Sequence, residues 1–150
     1  MESLPRTLDI VIPSFRLETT YLLPLIELPK PEGWTFRYYI VVDNPHVNVA
    51  PSLASLAASG AITLLINPQN MGASTSRNRG LEAGNGDWIL FLDDDIQADR
   101  QLLHHYVDAI IRYPEAIGFI GLVTLPPPPT NFARALVING SMMIFEIAKA

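Results

Sequence analysis

The sequence predicts an α/β fold in three layers, α/β/α, around a mostly parallel sheet. Short apolar, β-branched runs alternate with longer amphipathic or Ala-rich stretches, the pattern of βαβ units. The runs are continuous rather than alternating, as expected of strands buried on both faces. Length sets the scale: 150 residues bury roughly 68–70% of their unfolded surface, which suits one core and one domain.

The first strand is expected over 8–12, closed by Pro13, and the second over 36–42, reading FRYYIVV before Asp43. A third, 61–66, stops at Asn67-Pro68; a fourth, 88–92, runs into Asp93-Asp94-Asp95. A fifth is expected over 117–125, before the proline run 126–129. Helices are expected at about 17–27, 51–59, 73–84 and 99–113, the first kinked or shortened by Pro24. The last has Asp99 as a candidate N-cap, an apolar stripe at Leu102, Leu103, Tyr106, Val107, Ile110 and Ile111, and Pro114 as its stop. Residues 126–130 read as a stiff Pro-rich linker and 131–150 as one more helix, whose apolar character implies a chain truncated before its next strand.

Ten basic against fifteen acidic residues give a net charge of −5, with no clustered basic footprint, so a nucleic-acid partner is not expected. With 49% hydrophobic and 17% charged residues and a mean hydropathy of +0.23, core material is abundant. There is no cysteine, which excludes disulfides, thiolate zinc sites and thiol nucleophiles and fits a reducing cytoplasm. Glu2, Arg6 and Asp9 interrupt any secretory apolar stretch, and Arg134, Asn139 and Glu146 break 131–148, so neither a signal peptide nor a membrane span is expected.

The chemistry concentrates at strand ends. WILFLDDD, 88–95, delivers three carboxylates to the C-terminal end of a buried strand, where open α/β sheets bind ligands. Like charges ~4 Å apart repel by roughly 1 kcal/mol in water and about 4 at an effective dielectric of 20, so the triplet calls for a cation. All-oxygen ligation suits Mg²⁺ or Mn²⁺, which bind through one or two carboxylates plus substrate phosphates, and a diphosphate is the natural ligand. A solvated acidic loop with one Asp capping a helix would also fit the tripeptide. NPQNMGASTSRNRGLEAGNGDW, 67–88, adds turn chemistry at Asn70 and Gly72 and positive charge at Arg77 and Arg79. Pro13-Ser14 and Asp43-Asn44 end the neighbouring strands, with groups able to meet a base or ribose. His104 and His105 read as surface residues and His46 as a loop residue. No Walker loop, GxSxG elbow, HExxH or GxGxxG occurs.

DIVIPSF at 9–15, YIVVDN at 39–44 and NMGASTSRNRGLEAGNGDWILFLDDD at 70–95 resemble, in this order and spacing, the nucleotide-sugar-binding half of the family 2 glycosyltransferases. The resemblance implies the Rossmann-like GT-A fold and sugar transfer from a nucleoside diphosphate sugar, with a divalent metal on the diphosphate. It makes Asp95 the metal ligand with Asp93 as helper, and turns Asp94 or Asp93 to the ribose. It places Pro13, Ser14, Asp43 and Asn44 around the base, with Gly72 and Arg77 approaching the nucleotide. The acceptor it implies is a saccharide or a lipid-linked group, with the protein in the cytoplasm or peripherally at the inner face of the membrane.

Two departures stand out. The family's Asp-Asp-Gly-Ser is here Asp43-Asn44-Pro45-His46, and no general base is matched within the chain, so this polypeptide is expected to bind donor and transfer poorly. A haloacid dehalogenase-type phosphatase would use Asp93 as nucleophile and Asp95 as general acid, although such enzymes usually carry that motif on the first strand. A nucleotidyltransferase would need a glycine-rich loop after Ile12 that is missing. A non-catalytic nucleotide-binding or interaction domain is the remaining alternative.

Overall fold

In the computed structural model, which describes residues 6–124, 127 and 129–138, four strands form one sheet and each of the four earlier helices expected from sequence is present. The chain divides into two units, Met1–Pro114 and Glu115–Ala150.

In the first unit β1 (Thr7–Ser14), α1 (Thr19–Ile26), β2 (Thr35–Val42), α2 (Pro51–Ala58), β3 (Thr63–Ile66), α3 (Ala73–Ala83), β4 (Trp88–Phe91) and α4 (Leu102–Arg112) follow in order. The strands lie β3-β2-β1-β4, all parallel. The order reverses at β1, so the crevice between the C-terminal ends of β1 and β4 is the topological switch point, where open α/β sheets receive ligands.

Both sheet faces are covered, because consecutive residues of β1, Ile10, Val11 and Ile12, are all fully buried and successive side chains point to opposite faces. Val11, Tyr39 and Val41 cluster on one face, where α3 lies so close that a Cβ on Gly80 would overlap Val11 Cγ1. Opposite it, the Tyr38 hydroxyl donates to Leu25 O of α1 at 3.2 Å. Burial pushes that phenol up to about 12, so it remains a neutral donor at physiological pH. The three layers are therefore α1, sheet and α3.

Element edges differ from expectation for local reasons. β1 continues through Pro13 to Ser14. Val11 O accepts from Leu92 N at 3.1 Å, so odd residues of β1 turn their backbone groups to β4; Pro13 is the next odd residue, past the last paired residue, Phe91. A missing N–H costs little there. Pro24 stays inside α1, an eight-residue helix, while Leu17 adopts φ 55° with its N–H on Ser14 Oγ at 3.0 Å. Asp99 does not cap α4. Its carboxylate accepts from Gln101 N in a tight turn at 2.6 Å, and the helix starts one residue later, with Gln101 at the N-cap. Leu103, Val107 and Ile110 of the expected stripe are buried, whereas Ile111 is exposed.

Opposite the ligand end, a polar clamp holds β4 in place. Asp9 is fully buried, and its Oδ1 lies 2.9 Å from Arg37 Nε as an ion pair rather than an aligned hydrogen bond. Asp9 Oδ2 accepts from Gly86 N at 2.7 Å, Arg37 donates to Asn85 Oδ1 at 2.5 Å, and Asp87 accepts from Arg6 N and Thr7 N at 3.1 Å each. The α3–β4 turn is thereby fastened to β1 and β2 just before β4 begins.

In the second unit, residues 117–124 form no strand, against expectation. Ile117, Ile120, Leu122 and Val123 are exposed; an apolar run becomes a strand only where an edge supplies ladder hydrogen bonds, and Gly118 and Gly121 weaken its own β preference. α5 spans Asn131–Ile138; residues 139–150 of the expected helix, and Pro126 and Pro128 of the expected linker, lie outside the described residues. Among the described residues no helix is long and apolar enough to cross a membrane.

Gly80→Ala tests the α3–β1 contact. Helix propensity alone would favour Ala by about 1 kcal/mol, whereas overpacking against Val11 costs typically 1–3 kcal/mol. A net loss of stability is expected, read as a lower urea midpoint.

Candidate functional site

β2 ends on Asp43, and the groups around its carboxylate shape the ligand end of the sheet. Asp43 is buried; Oδ1 accepts from Asn67 Nδ2 at 2.7 Å and Met71 N at 2.7 Å, and Oδ2 from Gly72 N at 2.8 Å. Gly72 can point its N–H there because it sits at φ 84°, open to glycine and rare for other residues. Asn67 Nδ2 also donates to Ser76 Oγ at 2.9 Å, and Arg79 donates to both Asn67 Oδ1 and Ile66 O at 2.6 Å. Burial works to raise the Asp43 pKa, but the bonds from Met71, Asn67, Gly72 and Ser76 outweigh it and hold the carboxyl below its ordinary value. One ionised side chain thus fastens the 67–72 loop and the start of α3 to the sheet.

Beside this anchor lies a cleft of about 300 Å³, lined by Phe15, Asp43, Asn44, Pro45, His46, Pro68, Gln69 and Asn70. Phe15 is half exposed, so a ring is available for stacking. Asn44 Oδ1 accepts from His46 N at 3.0 Å and Asn70 Oδ1 from Gly72 N at 3.2 Å, and among the described residues neither amide NH₂ group has an acceptor, so both have donors to offer a ligand.

The aspartate triplet follows β4 across the switch point from Ser14, and its three members have three different environments. Asp93 is 60% exposed and its Oδ1 lies 2.5 Å from Arg77 Nη2. Asp94 is half-buried and accepts from Ser14 Oγ at 2.5 Å. Asp95 is exposed and, among the described residues, carries no hydrogen bond or ion pair.

The structure therefore gathers Ser14, Arg77, Asp93 and Asp94 on one side of this edge and Asp43 and Asn44 at the cleft, with Gly72 bonded to Asp43. Pro13 is buried in β1 and Asp95 is carried on the same loop as Asp93. Sequence reasoning missed Asn67, Ser76 and Arg79 as the anchor's partners, and Phe15 and Gln69 as cleft walls. An Asn directly after an apolar strand was the available signal for Asn67, since a buried amide at such a point needs partners. Among the described residues no three His, Asp or Glu side chains are grouped to hold a metal by themselves.

The sequence model of glycosyl transferase family 2 matches residues 9–142. An uncharacterized glycosyltransferase of Haemophilus influenzae is 34% identical over 88 residues, 59% of this chain and 29% of the relative. Glucosyl-dolichyl phosphate glucuronosyltransferase of Haloferax volcanii is 36% identical over 62 residues, 41% of this chain and 20% of the relative. The aligned stretch thus spans less than a third of either curated relative. S. aureus TarS 1–349 in complex with UDP-GlcNAc superposes with a TM-score of 0.63 at 17% identity, over 81% of this chain and 37% of that one. The same protein in complex with UDP gives 0.60 at 19%, over 81% and 38%. At such identities the likeness is one of fold, and the fold is that of the GT-A glycosyltransferases.

Asp43→Asn tests the anchor, because an amide cannot accept from every donor that now converges there; a loss of about 1–3 kcal/mol is expected at pH 7. A carboxyl with a lowered folded pKa contributes stability that is full above its unfolded pKa of about 3.9 and is lost as pH falls through the folded value. Urea midpoints measured from pH 7 down to 3 should therefore show the gap between wild type and Asp43→Asn closing below about pH 4.

Proposed function

The chain belongs to glycosyl transferase family 2, and we propose that its sheet edge is the donor site of a transferase that uses a nucleoside diphosphate sugar, with a divalent cation on the diphosphate. The observation that carries this reading is the division of the triplet, two carboxylates held by Arg77 and Ser14 and the third without a partner among the described residues, at the switch point of a parallel sheet.

Support for each part comes from the chemistry of the groups. The cleft beside Asp43 has a ring in Phe15 and spare amide donors in Asn44 and Asn70, a combination suited to a nucleobase. Pro13 and Ser14 would back the base site from β1, whose next residue, Phe15, lines the cleft. Gly72 and Arg77 would face the nucleotide, the guanidinium suiting phosphate oxygens through its planar fork. Asp94 or Asp93 would turn to the ribose. Asp95, with Asp93 as helper, would hold Mg²⁺ or Mn²⁺, in keeping with a cation taken by one or two carboxylates and completed by phosphate oxygens. The chemistry such an ion supplies is neutralisation of charge growing on the departing diphosphate, worth more in the transition state than in the ground state. TarS has been solved with UDP and with UDP-GlcNAc, which favours a nucleoside diphosphate sugar as ligand class here.

The proposal assigns donor binding, not acceptor activation, to the groups at this edge, so by themselves they bind donor without turning it over. A saccharide or lipid-linked acceptor, and a cytoplasmic setting extending to the inner membrane face, complete the reading. Family membership sets aside the phosphatase alternative, and Asp93, its required nucleophile, is engaged by Arg77.

Calorimetric titration with UDP, GDP and dTDP, with and without Mn²⁺, tests the site. One nucleotide should bind in a Mn²⁺-dependent manner, and Asp95→Ala should weaken it at least about tenfold, equivalent to ~1.4 kcal/mol. Equal binding without metal, or no binding of any of the three, would count against the proposal.

A further inference from the structure

Asp93 and Arg77 come from different elements, the loop after β4 and the middle of α3, and meet 2.5 Å apart. This contact places a cation on the very carboxylate that would help Asp95 hold a metal. Asp94 is engaged by a neutral group, accepting a hydrogen bond from Ser14 Oγ of β1. With these contacts made, the triplet offers a dication one carboxylate without a partner among the described residues, on an exposed loop, with a guanidinium beside it.

A diphosphate changes the balance. Its oxygens compete with Asp93 for the same guanidinium, and they match its planar fork at two points, whereas the contact to Asp93 is made through one nitrogen. The Arg77 side chain is 34% exposed and Asp93 60%, so exchange of partners needs no rearrangement of the core. Every step taken by Arg77 toward phosphate leaves Asp93 available to a cation, and by linkage the two ligands must help one another equally.

We propose that Arg77 is a gate on the aspartate triplet: it covers Asp93 while the site is empty and passes to the diphosphate when donor arrives, so that metal binds well only together with nucleotide. The inference rests on the donor-site reading given above and adds to it a binding order and the positioning residue that enforces it. The physiological consequence is a site that does not fill with metal in the absence of donor.

The test is binding of MnCl₂ alone, read from the electron paramagnetic resonance signal of free Mn²⁺, with no nucleotide and no turnover involved. Arg77→Gln should bind Mn²⁺ about three- to tenfold more tightly than wild type, from the freed Asp93 carboxylate and the lost positive charge together. Arg77→Met is the second variant should the first fail to fold. In an Asp93→Asn background the same change at Arg77 should give a clearly smaller gain, because the carboxylate it would free is gone. Unchanged or weaker Mn²⁺ binding in both Arg77 variants overturns the gate, and so does an equal gain with and without Asp93, which would mark a through-space charge effect. If wild type shows Mn²⁺-dependent nucleotide binding while these variants fail the test, the gate falls and the donor site stands. If wild type binds no nucleotide with Mn²⁺, both fall.

Discussion

The ionised carboxylate of Asp43, buried at the end of β2, organises what lies around it. Its oxygens collect Asn67 from the end of β3, two backbone N–H groups from the following loop and, through Asn67, Ser76 of α3. A buried charge left unsatisfied would cost several kcal/mol, so the loop cannot leave without exposing that cost. This is why a connection with Asn70 and Gly72 at its tip keeps one shape, and why α3 starts where Arg77 can reach across toward β4.

A second polar cluster does the same work at the opposite end of the sheet. Asp9 and Arg37 pair across β1 and β2, and Gly84 and Gly86 are small enough to bring the α3–β4 turn onto the Asp9 carboxylate. Pairs of this kind are poor sources of net stability but are costly to break on one side. Their effect is positional. β4 enters the sheet in register with β1, Leu8 beside Trp88 through Val11 beside Phe91, and therefore leaves it with the aspartates opposite Ser14.

Between these anchors the triplet is the least constrained part of the edge and the part with most chemical freedom. Three adjacent carboxylates would repel one another, and the fold answers with a different partner for each of two and, among the described residues, none for the third. The Arg77–Asp93 pair is partly exposed and so open to exchange, whereas Ser14, buried and also holding Leu17 N, is the fixed partner. Rigid supports holding a lightly engaged acidic loop are what a site needs if its ligand is to complete it.

Much of this was legible in the sequence because buried parallel strands announce themselves as continuous apolar runs: FRYYIVV and WILF could hardly be anything else, and a carboxylate directly after such a run must sit at a strand end. The positions of the strand ends and the residue types on them could be read from that pattern, as could the family resemblance of its motifs. Edges were less legible where one residue has two uses, as with Asp99, whose side chain closes a turn instead of capping a helix, and Pro13, which remains in its strand because its missing N–H falls beyond β4. Residues 117–124 form no strand although the run is apolar, because apolarity by itself does not supply a hydrogen-bonding neighbour. What only the tertiary structure decided was pairing: Ser14 meets Asp94 across eighty positions, and Arg77 chooses Asp93 across sixteen. Hydrogen bonds and ion pairs depend on ångström-scale approach, and that approach is set by the crossover that puts β4 beside β1. Local sequence can therefore name the strand ends and the residues on them, but not which of those residues touch.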